Sequence, residues 1–266
     1  MTRIVLIICL LFTPFGWAQS ITFGIVPQQS ASRLASQWTP IMQYLSEKSG
    51  QQFIFETAAD IPTFEKRLKN GEYDFAYMNP YHYTTFSTSP GYRALAKAKD
   101  KKIKGLIVVK KGSGITDVEQ LVGKNLAFPS PAAFAASILT RDYLTQRNVK
   151  FTPQYVSSHD SVYLAVAKGL YPAGGGIMRT FNSIDPSVRD ELTPLWITNG
   201  FTPHAIAAHP RVDPKLVQQI TELLERLDSH PIGKKQLNSL NIKGFISAYD
   251  REWDDIRALN INLIKQ

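Results

Sequence analysis

The sequence predicts an α/β protein made of two lobes. Two stretches of the chain repeat one order of elements, in which a short apolar strand leads through a turn into an amphipathic helix. The 266 residues are 44% hydrophobic and 20% charged, without low-complexity tracts. That composition is typical of a globular chain, and the length is sufficient for two such lobes.

The first repeat has the order βαβαβ. Strands are predicted at 21–26, 53–57 and 73–78. One helix is predicted to open at Thr39-Pro40 and to end at Gly50, and a second runs from Pro62 to Asn70. Asn79-Pro80 has the form of a cap followed by a first-turn proline. Two strands follow at 94–99 and 106–110, and the charged run Lys97–Lys104 between them is expected to be a solvated hairpin tip.

The second repeat begins after a capping box at Thr116–Glu119. Strands are predicted at 126–128, 154–157, 171–178, 195–198 and 205–208. Helices are predicted to start at Ala132, at His159 and at Pro186. The tail is helical, with caps at Asp213 and Asp250. Two α/β halves of similar order imply two lobes.

The stretch from Asn125 to Leu144 is the centre of the prediction. A short strand there leads through a proline-marked loop into an alanine-rich helix, and free amides at such a helix start suit an anion. The loop has few side-chain donors, because Ser130 is followed mainly by alanine and proline. An ordinary packing loop between strand and helix is the alternative interpretation.

Met1–Ala18 has the pattern of a cleavable signal peptide, with Arg3 before a short apolar run and small residues at its end. The mature chain is therefore expected to be exported to the periplasm and not to span a membrane. The only cysteine, Cys9, lies in this leader. Disulfides, zinc thiolate sites and cysteine nucleophiles are thus excluded from the mature chain.

The formal charge of +8 indicates a basic surface. In an exported protein this favours an anionic ligand or a membrane surface over nucleic acid, although a merely soluble basic surface explains it equally well. Hydrolase, metalloprotease and nucleotide-binding motifs are absent from the sequence, and the five histidines lack metal-ligand spacing. We therefore expect no enzyme activity, no metal and no cofactor.

Ligands of open α/β sheets bind beyond the carboxyl ends of the strands. The predicted ends lie at 27–30, 59–60 and 78–83 in the first half, and at 130–133, 157–159 and 178–180 in the second. A cleft between the two halves would have an aromatic wall with Tyr81 and Tyr83, and a cationic wall with Arg179.

Six motifs occur in a characteristic order along the chain. They are FGIVP at 23–27, WTPIMQYL at 38–45, GEYDFA at 71–76, KGSGI at 111–115, LVGKNLAF at 121–128 and SSHDSVYLAV at 157–166. Together they resemble the phosphate/phosphite/phosphonate substrate-binding proteins of ABC transporters, the PhnD-like group. The resemblance extends from Ile21 to about Trp253.

This resemblance implies a type II periplasmic binding fold with a two-strand hinge and a ligand cleft between the lobes. The expected division is 1–18 signal peptide, 19–110 with 201–266 as lobe 1, and 111–200 as lobe 2. The implied function is capture of a small oxyanion by lobe closure and its delivery, as a monomer, to an ABC permease. The alternative is a sensor of the same fold that presents a different anion to a membrane histidine kinase.

The resemblance also implies ligand-binding positions. The serine and threonine hydroxyls that hold phosphonyl oxygens in the family correspond to Ala133, Phe134 and Ala135 here, so the hydroxyls are missing. His159 matches a family histidine, and His204 replaces an acidic residue. We expect Arg179, His159 and His204 to supply charge in place of the hydroxyls. Further candidate contacts are Tyr81, Tyr83 and Ser130. Because the residues that define phosphonate binding have changed, the sequence does not name the ligand.

Overall fold

The computed structural model describes residues 20–261 and contains two β-sheets with helices on their faces. The expected signal peptide and Cys9 lie outside the described residues. Within 20–261, none of the helices combines the length and the apolar composition needed to cross a bilayer. The α/β architecture predicted from the repeated element order is confirmed.

Eleven strands and ten α-helices follow one another along the described chain. The strands are β1 Ile21–Ile25, β2 Phe53–Glu56, β3 Phe75–Met78, β4 Arg93–Ala98, β5 Gly105–Lys110, β6 Asn125–Phe128, β7 Thr152–Tyr155, β8 Ala173–Ile177, β9 Leu192–Ile197, β10 Ala205–Ala208 and β11 Phe245–Ser247. The helices are α1 Ala31–Ser49, α2 Ile61–Lys69, α3 Pro80–Phe86, α4 Leu139–Gln146, α5 His159–Ala167, α6 Met178–Ser183, α7 Pro186–Arg189, α8 Pro214–Glu225, α9 Pro231–Ser239 and α10 Asp254–Arg257.

The first lobe is built on a six-stranded sheet with the order β11-β4-β10-β3-β1-β2. Its strands β1, β2 and β3 are parallel, as a βαβαβ unit requires, and β10 joins them in the antiparallel direction. Aromatic side chains fill the core beside this sheet; Trp38, Phe64 and Phe75 are almost fully buried. The carboxyl ends of the three parallel strands therefore share one edge of a rigid sheet.

The second lobe is built on a five-stranded sheet with the order β7-β6-β8-β5-β9. Strands β6, β7 and β8 are parallel, and β5 pairs antiparallel with β8 and β9. The expected hairpin tip at Lys97–Lys104 is wrong, because β4 and β5 belong to different sheets. Strand β5, which was expected to belong to the first lobe, pairs within the second sheet.

The chain passes between the sheets twice, at 99–104 and at 198–204. These two crossing segments run antiparallel beside each other, and Ile103 and Phe201 exchange backbone hydrogen bonds of 2.8 and 2.9 Å. The short connections form the two-strand hinge that the resemblance implies. Closing and opening of the lobes would rotate about this pair of segments.

Two helix starts differ from their predicted positions. Helix α1 begins at Ala31, where Ser30 caps it by accepting from the Arg33 amide, and Pro40 lies inside it. After Ala132 the chain forms a π-helix at Phe134–Ile138 before α4 begins. Gly175 in β8 permits this close packing, because a Cβ atom there would lie 2.0 Å from the Ala136 carbonyl oxygen.

Candidate functional site

Gln28 joins the two lobes at the centre of the cleft between them. Its side-chain oxygen accepts a hydrogen bond of 2.5 Å from Arg179 Nη2, and its Nε2 donates to His204 Nε2 at 2.7 Å. Its backbone oxygen accepts from the amide of His159, in the first turn of α5, at 3.0 Å. Strand ends of both sheets thus meet at one glutamine, and the lobes are in direct contact.

Other polar contacts between the lobes surround this centre. Asn79 Nδ2 donates to the Ala132 carbonyl oxygen at 3.3 Å, and the Ser30 amide donates to Asp160 Oδ2 at 3.4 Å. Asp160 Oδ1 is buried and has no hydrogen-bond partner among the described residues. Burial raises the pKa of Asp160 despite the nearby Arg33 and Arg179 charges. The cleft is closed in this structure.

The position of the missing hydroxyls is packed with apolar atoms. Ala133, Phe134 and Ala135 are all buried, and the Phe134 ring meets Phe201 of the hinge edge-on at 5.6 Å. A cavity of about 10 Å³ remains beside this loop, Gln28 and His159. That volume is close to the smallest that holds one water. The loop predicted to bind an anion therefore leaves no room for an oxyanion in this closed conformation.

A second and larger cavity adjoins the first and is lined by the crossing segment 99–104. This basic chamber has a volume of about 400 Å³, and its polar lining includes Tyr77, Lys101, Lys102, Lys104, Arg179 and His204. Ile103 and Ile177 line both cavities, so the two spaces are adjacent. The chamber has the volume of a small-molecule site.

Arg179 is the charged side chain at the centre of the cleft. It is half-buried, and among residues 20–261 it has no carboxylate within ion-pair distance. Neither Asp160 nor Asp185 forms an ion pair with it in this structure. A guanidinium without an acidic partner retains its capacity to bind an oxyanion through two donors.

The two histidines supply no charge in this conformation. Burial, helped by the Arg179 charge, lowers the pKa of His159 to about 3 and lowers the pKa of His204 well below its usual range. The hydrogen bond between Gln28 and His204 agrees with a neutral His204 ring. The Gln28 amide nitrogen can only donate, so His204 Nε2 must accept. The expectation that both histidines are cationic is therefore wrong here, and Arg179 alone carries charge at the centre.

The remaining candidate residues lie in different surroundings. Tyr83 donates to Asp250 Oδ1 at 2.6 Å and packs on Trp253, which places its hydroxyl inside the first lobe. Tyr81 is buried on the same helix and lines neither cavity. Ser130 Oγ is buried and has no hydrogen-bond partner among the described residues. Of these three side chains, Ser130 has a hydroxyl available for a further contact.

Sequence reasoning missed three features of the cleft. Gln28 lies in the predicted strand end at 27–30, but no feature of the neighbouring sequence shows that its side chain reaches the other lobe. Tyr77 stacks on His204 with ring centroids 4.9 Å apart. Lys101, Lys102 and Lys104 of the first crossing segment, which line the chamber, were expected to face solvent. In residues 20–261, histidine and acidic side chains form no cluster of three suited to a metal ion.

The sequence matches one family model over most of its length. Residues 23–253 match the family described as "ABC transporter, phosphonate, periplasmic substrate-binding protein". The chain belongs to this family. Its members are substrate-binding proteins of transporters, so the resemblance drawn from the six motifs is confirmed. The family match favours transport over the sensor alternative.

Individual relatives are distant in sequence, and a solved structure is similar in fold. The Phosphate-import protein PhnD of Mycolicibacterium smegmatis is 20% identical over 245 residues, 78% of this chain and 72% of the relative. The tetrathionate sensor histidine kinase TtrS of Salmonella typhimurium is 24% identical over 132 residues, 47% of this chain and 22% of the kinase. PhnD1 of Prochlorococcus marinus, solved with methylphosphonate, has a TM-score of 0.83 at 18% identity, covering 91% of this chain and 99% of that one.

Proposed function

We propose that this protein is the exported binding component of an ABC importer for a phosphorus oxyanion and has no enzymatic role. Residues 1–18 direct export, the mature monomer captures the anion by closing its lobes, and a permease receives the anion. The first lobe comprises 20–98 and 205–261, and the second comprises 105–197. The observation that carries the proposal is Arg179, a cation at the contact between the lobes that has no acidic partner among residues 20–261.

The chemistry of the cleft supports an anion. Neutral His159 and His204 offer ring nitrogens that do not add charge, and Ser130 offers a buried hydroxyl. The N-terminus of α5, whose helix dipole favours negative charge, also lies at the cleft, where its His159 amide meets Gln28. Named relatives import phosphate or bind methylphosphonate, which supports phosphorus oxyanions as the ligand class. The match to a tetrathionate sensor is the observation that supports the sensor alternative, and it covers only 47% of this chain.

Substitution of Arg179 tests this proposal. The mature protein is refolded to remove bound ligand and is titrated with phosphate, phosphite and a series of phosphonates by calorimetry and thermal shift. A ligand at about 100 times its dissociation constant stabilises the native state by about 2.7 kcal/mol, which raises Tm by roughly 5 to 10 °C. Arg179→Ala removes a charged hydrogen bond worth about 2 kcal/mol or more, so affinity falls by at least about 30-fold.

Arg93→Ala is the matched control, because Arg93 is exposed and lines neither cavity. It removes the same charge and should leave ligand affinity within about twofold. Equal affinities of the Arg179→Ala and wild-type proteins would refute the role of Arg179. If sulfur oxyanions bind and none of the phosphorus compounds does, the sensor alternative is favoured.

A further inference from the structure

The basic chamber carries more positive charge than the structure neutralises. Lys101, Lys102, Lys104 and Arg179 line it, and Asp100 is the acidic residue in its lining. Among residues 20–261, none of these four cations has a carboxylate within ion-pair distance. Like charges gathered around one space repel one another, so an anion in that space is favoured.

The chamber is also larger than an inorganic oxyanion requires. A water molecule takes about 30 Å³ of the liquid, so about 400 Å³ corresponds to roughly a dozen molecules of that size. Apolar side chains form part of the wall, including Met178 and Ile242. A ligand that fills this space therefore has an organic part as well as negative charge.

Arg179 links this chamber to the contact between the lobes. Its guanidinium bonds Gln28 of the first lobe while it also lines the chamber. The three lysines lie farther along, on the segment that crosses between the sheets. A ligand held at Arg179 would thus extend toward lysines, and a cationic tail on it would meet like charges.

We propose that the basic chamber is the site for the organic end of the ligand, and that this end carries a second acidic group. The ligand class is an organic phosphorus oxyanion of the phosphonocarboxylate type. Its phosphonyl group is held by Arg179, and its second acidic group lies near Lys102 and Lys104. This inference rests on the proposed function, because it names the ligand class of the same cleft.

Two phosphonates of equal length separate this inference from general phosphonate binding. 3-Phosphonopropionate and 2-aminoethylphosphonate have the same two-carbon spacer, and they carry a carboxylate or an ammonium at the far end. Calorimetry on the refolded mature protein should show at least about 30-fold tighter binding of 3-phosphonopropionate, with methylphosphonate between the two. Raising the salt concentration should weaken 3-phosphonopropionate binding most, since Lys102 and Lys104 are exposed.

Charge removal at the chamber gives the second measurement. The double variant Lys102→Gln with Lys104→Gln should lose at least tenfold affinity for 3-phosphonopropionate and less than threefold for methylphosphonate. The matched control is Lys124→Gln with Lys150→Gln. These two lysines are exposed and precede β6 and β7, at the opposite edge of the second sheet from the cleft. The control variant should bind both compounds as the wild type does.

The outcomes separate the two proposals. If no phosphorus compound binds the wild type, the proposed function and the present inference both fail. If phosphonates bind but 2-aminoethylphosphonate equals or exceeds 3-phosphonopropionate, the acidic-tail inference alone is overturned. Equal losses in the Lys102/Lys104 and Lys124/Lys150 variants would overturn it as well, because general surface charge would then account for the effect.

Discussion

Two of the buried histidines, His159 and His204, make the stability of this protein depend on pH. An unfolded histidine has a pKa near 6.5, whereas burial lowers the folded pKa of His159 to about 3 and that of His204 well below its usual range. Between these values the unfolded chain binds more protons, so stability falls as the pH falls. Two such histidines lose about 3 kcal/mol between about pH 7.5 and 5.5.

Thermal unfolding of ligand-free protein across this pH range checks the prediction. His159→Gln keeps a hydrogen-bonding group for Thr180, which His159 Nδ1 meets at 3.1 Å, and should roughly halve the loss. Asp160→Asn is a control of opposite sign. Because burial raises the pKa of Asp160 above its ordinary value, its protonation favours the folded state as the pH falls toward 3.8, so over that further acidification the variant should lose stability more steeply than the wild type. A Tm that does not change between pH 7.5 and 5.5 would contradict the conclusion that His159 and His204 are neutral in the folded protein.

The charge of a single residue can be inferred from the sequence only where it is independent of burial. Arg179 stays charged in any surroundings, so a sequence is sufficient to nominate it as an anion contact. The charge of a histidine depends on desolvation, which only the packed cleft reveals. Tyr83 illustrates a further limit, because its carboxylate partner Asp250 is 167 residues away and no local pattern joins them.

At the scale of the element, the π-helix at Phe134–Ile138 depends on glycine in the sheet beneath it. Alanine at Gly175 would place its Cβ 2.0 Å from the Ala136 oxygen and 2.7 Å from the Phe128 ring. We expect Gly175→Ala to destabilise the protein by about 1 to 3 kcal/mol and to weaken ligand binding, because the loop must move off the sheet.

Gly244→Ala is the control for this substitution. The nearest atom to an added Cβ there is Asp228 Oδ2 at 3.3 Å, the end of a flexible side chain. Thermal melts with and without 3-phosphonopropionate compare the two variants. If Gly175→Ala melts and binds like the wild type, the π-helix does not depend on this close approach.

Element type was predictable for most of the chain, and element ends were not. Strand β10 has the predicted bounds because its small apolar run lies between turn residues. Helix α1 starts eight residues before Thr39, because the Ser30 cap satisfies its first turn and tertiary burial of Trp38 outweighs the internal Pro40. The π-helix has no distinct sequence pattern in an alanine-rich run.

At the scale of the whole molecule, the two lobes were predictable and the passage between them was not. Consecutive strands usually pair, which is why β4 and β5 were expected to form a hairpin. Instead β4 pairs with β10 and β11, and β5 pairs with β8 and β9. These partners come from distant parts of the chain, so the lysines at 101–104 are placed beside the cleft only by long-range pairing.

The contact between the lobes predicts how the protein moves without ligand. Gln28 accepts one side-chain hydrogen bond across the closed cleft, from the charged Arg179 Nη2, whereas its other partner His204 lies directly before β10 of the first sheet. A hydrogen bond from a charged donor contributes about 1 to 3 kcal/mol, so Gln28→Ala should reduce the ratio of closed to open protein by about 5- to 150-fold. Ligand should restore closure, since it binds both lobes.

Distances between spin labels measure this equilibrium. Because Cys9 is the only cysteine and belongs to the expected leader, Lys48→Cys and Lys168→Cys can be labelled selectively in the mature protein, one in each lobe. Both positions are exposed at the ends of α1 and α5. Wild-type protein should give one short distance without ligand, and Gln28→Ala should add a longer one that 3-phosphonopropionate removes. Gln43→Ala, exposed on α1, is the matched control. Identical distances in the ligand-free wild type and Gln28→Ala would show that Gln28 does not hold the lobes together.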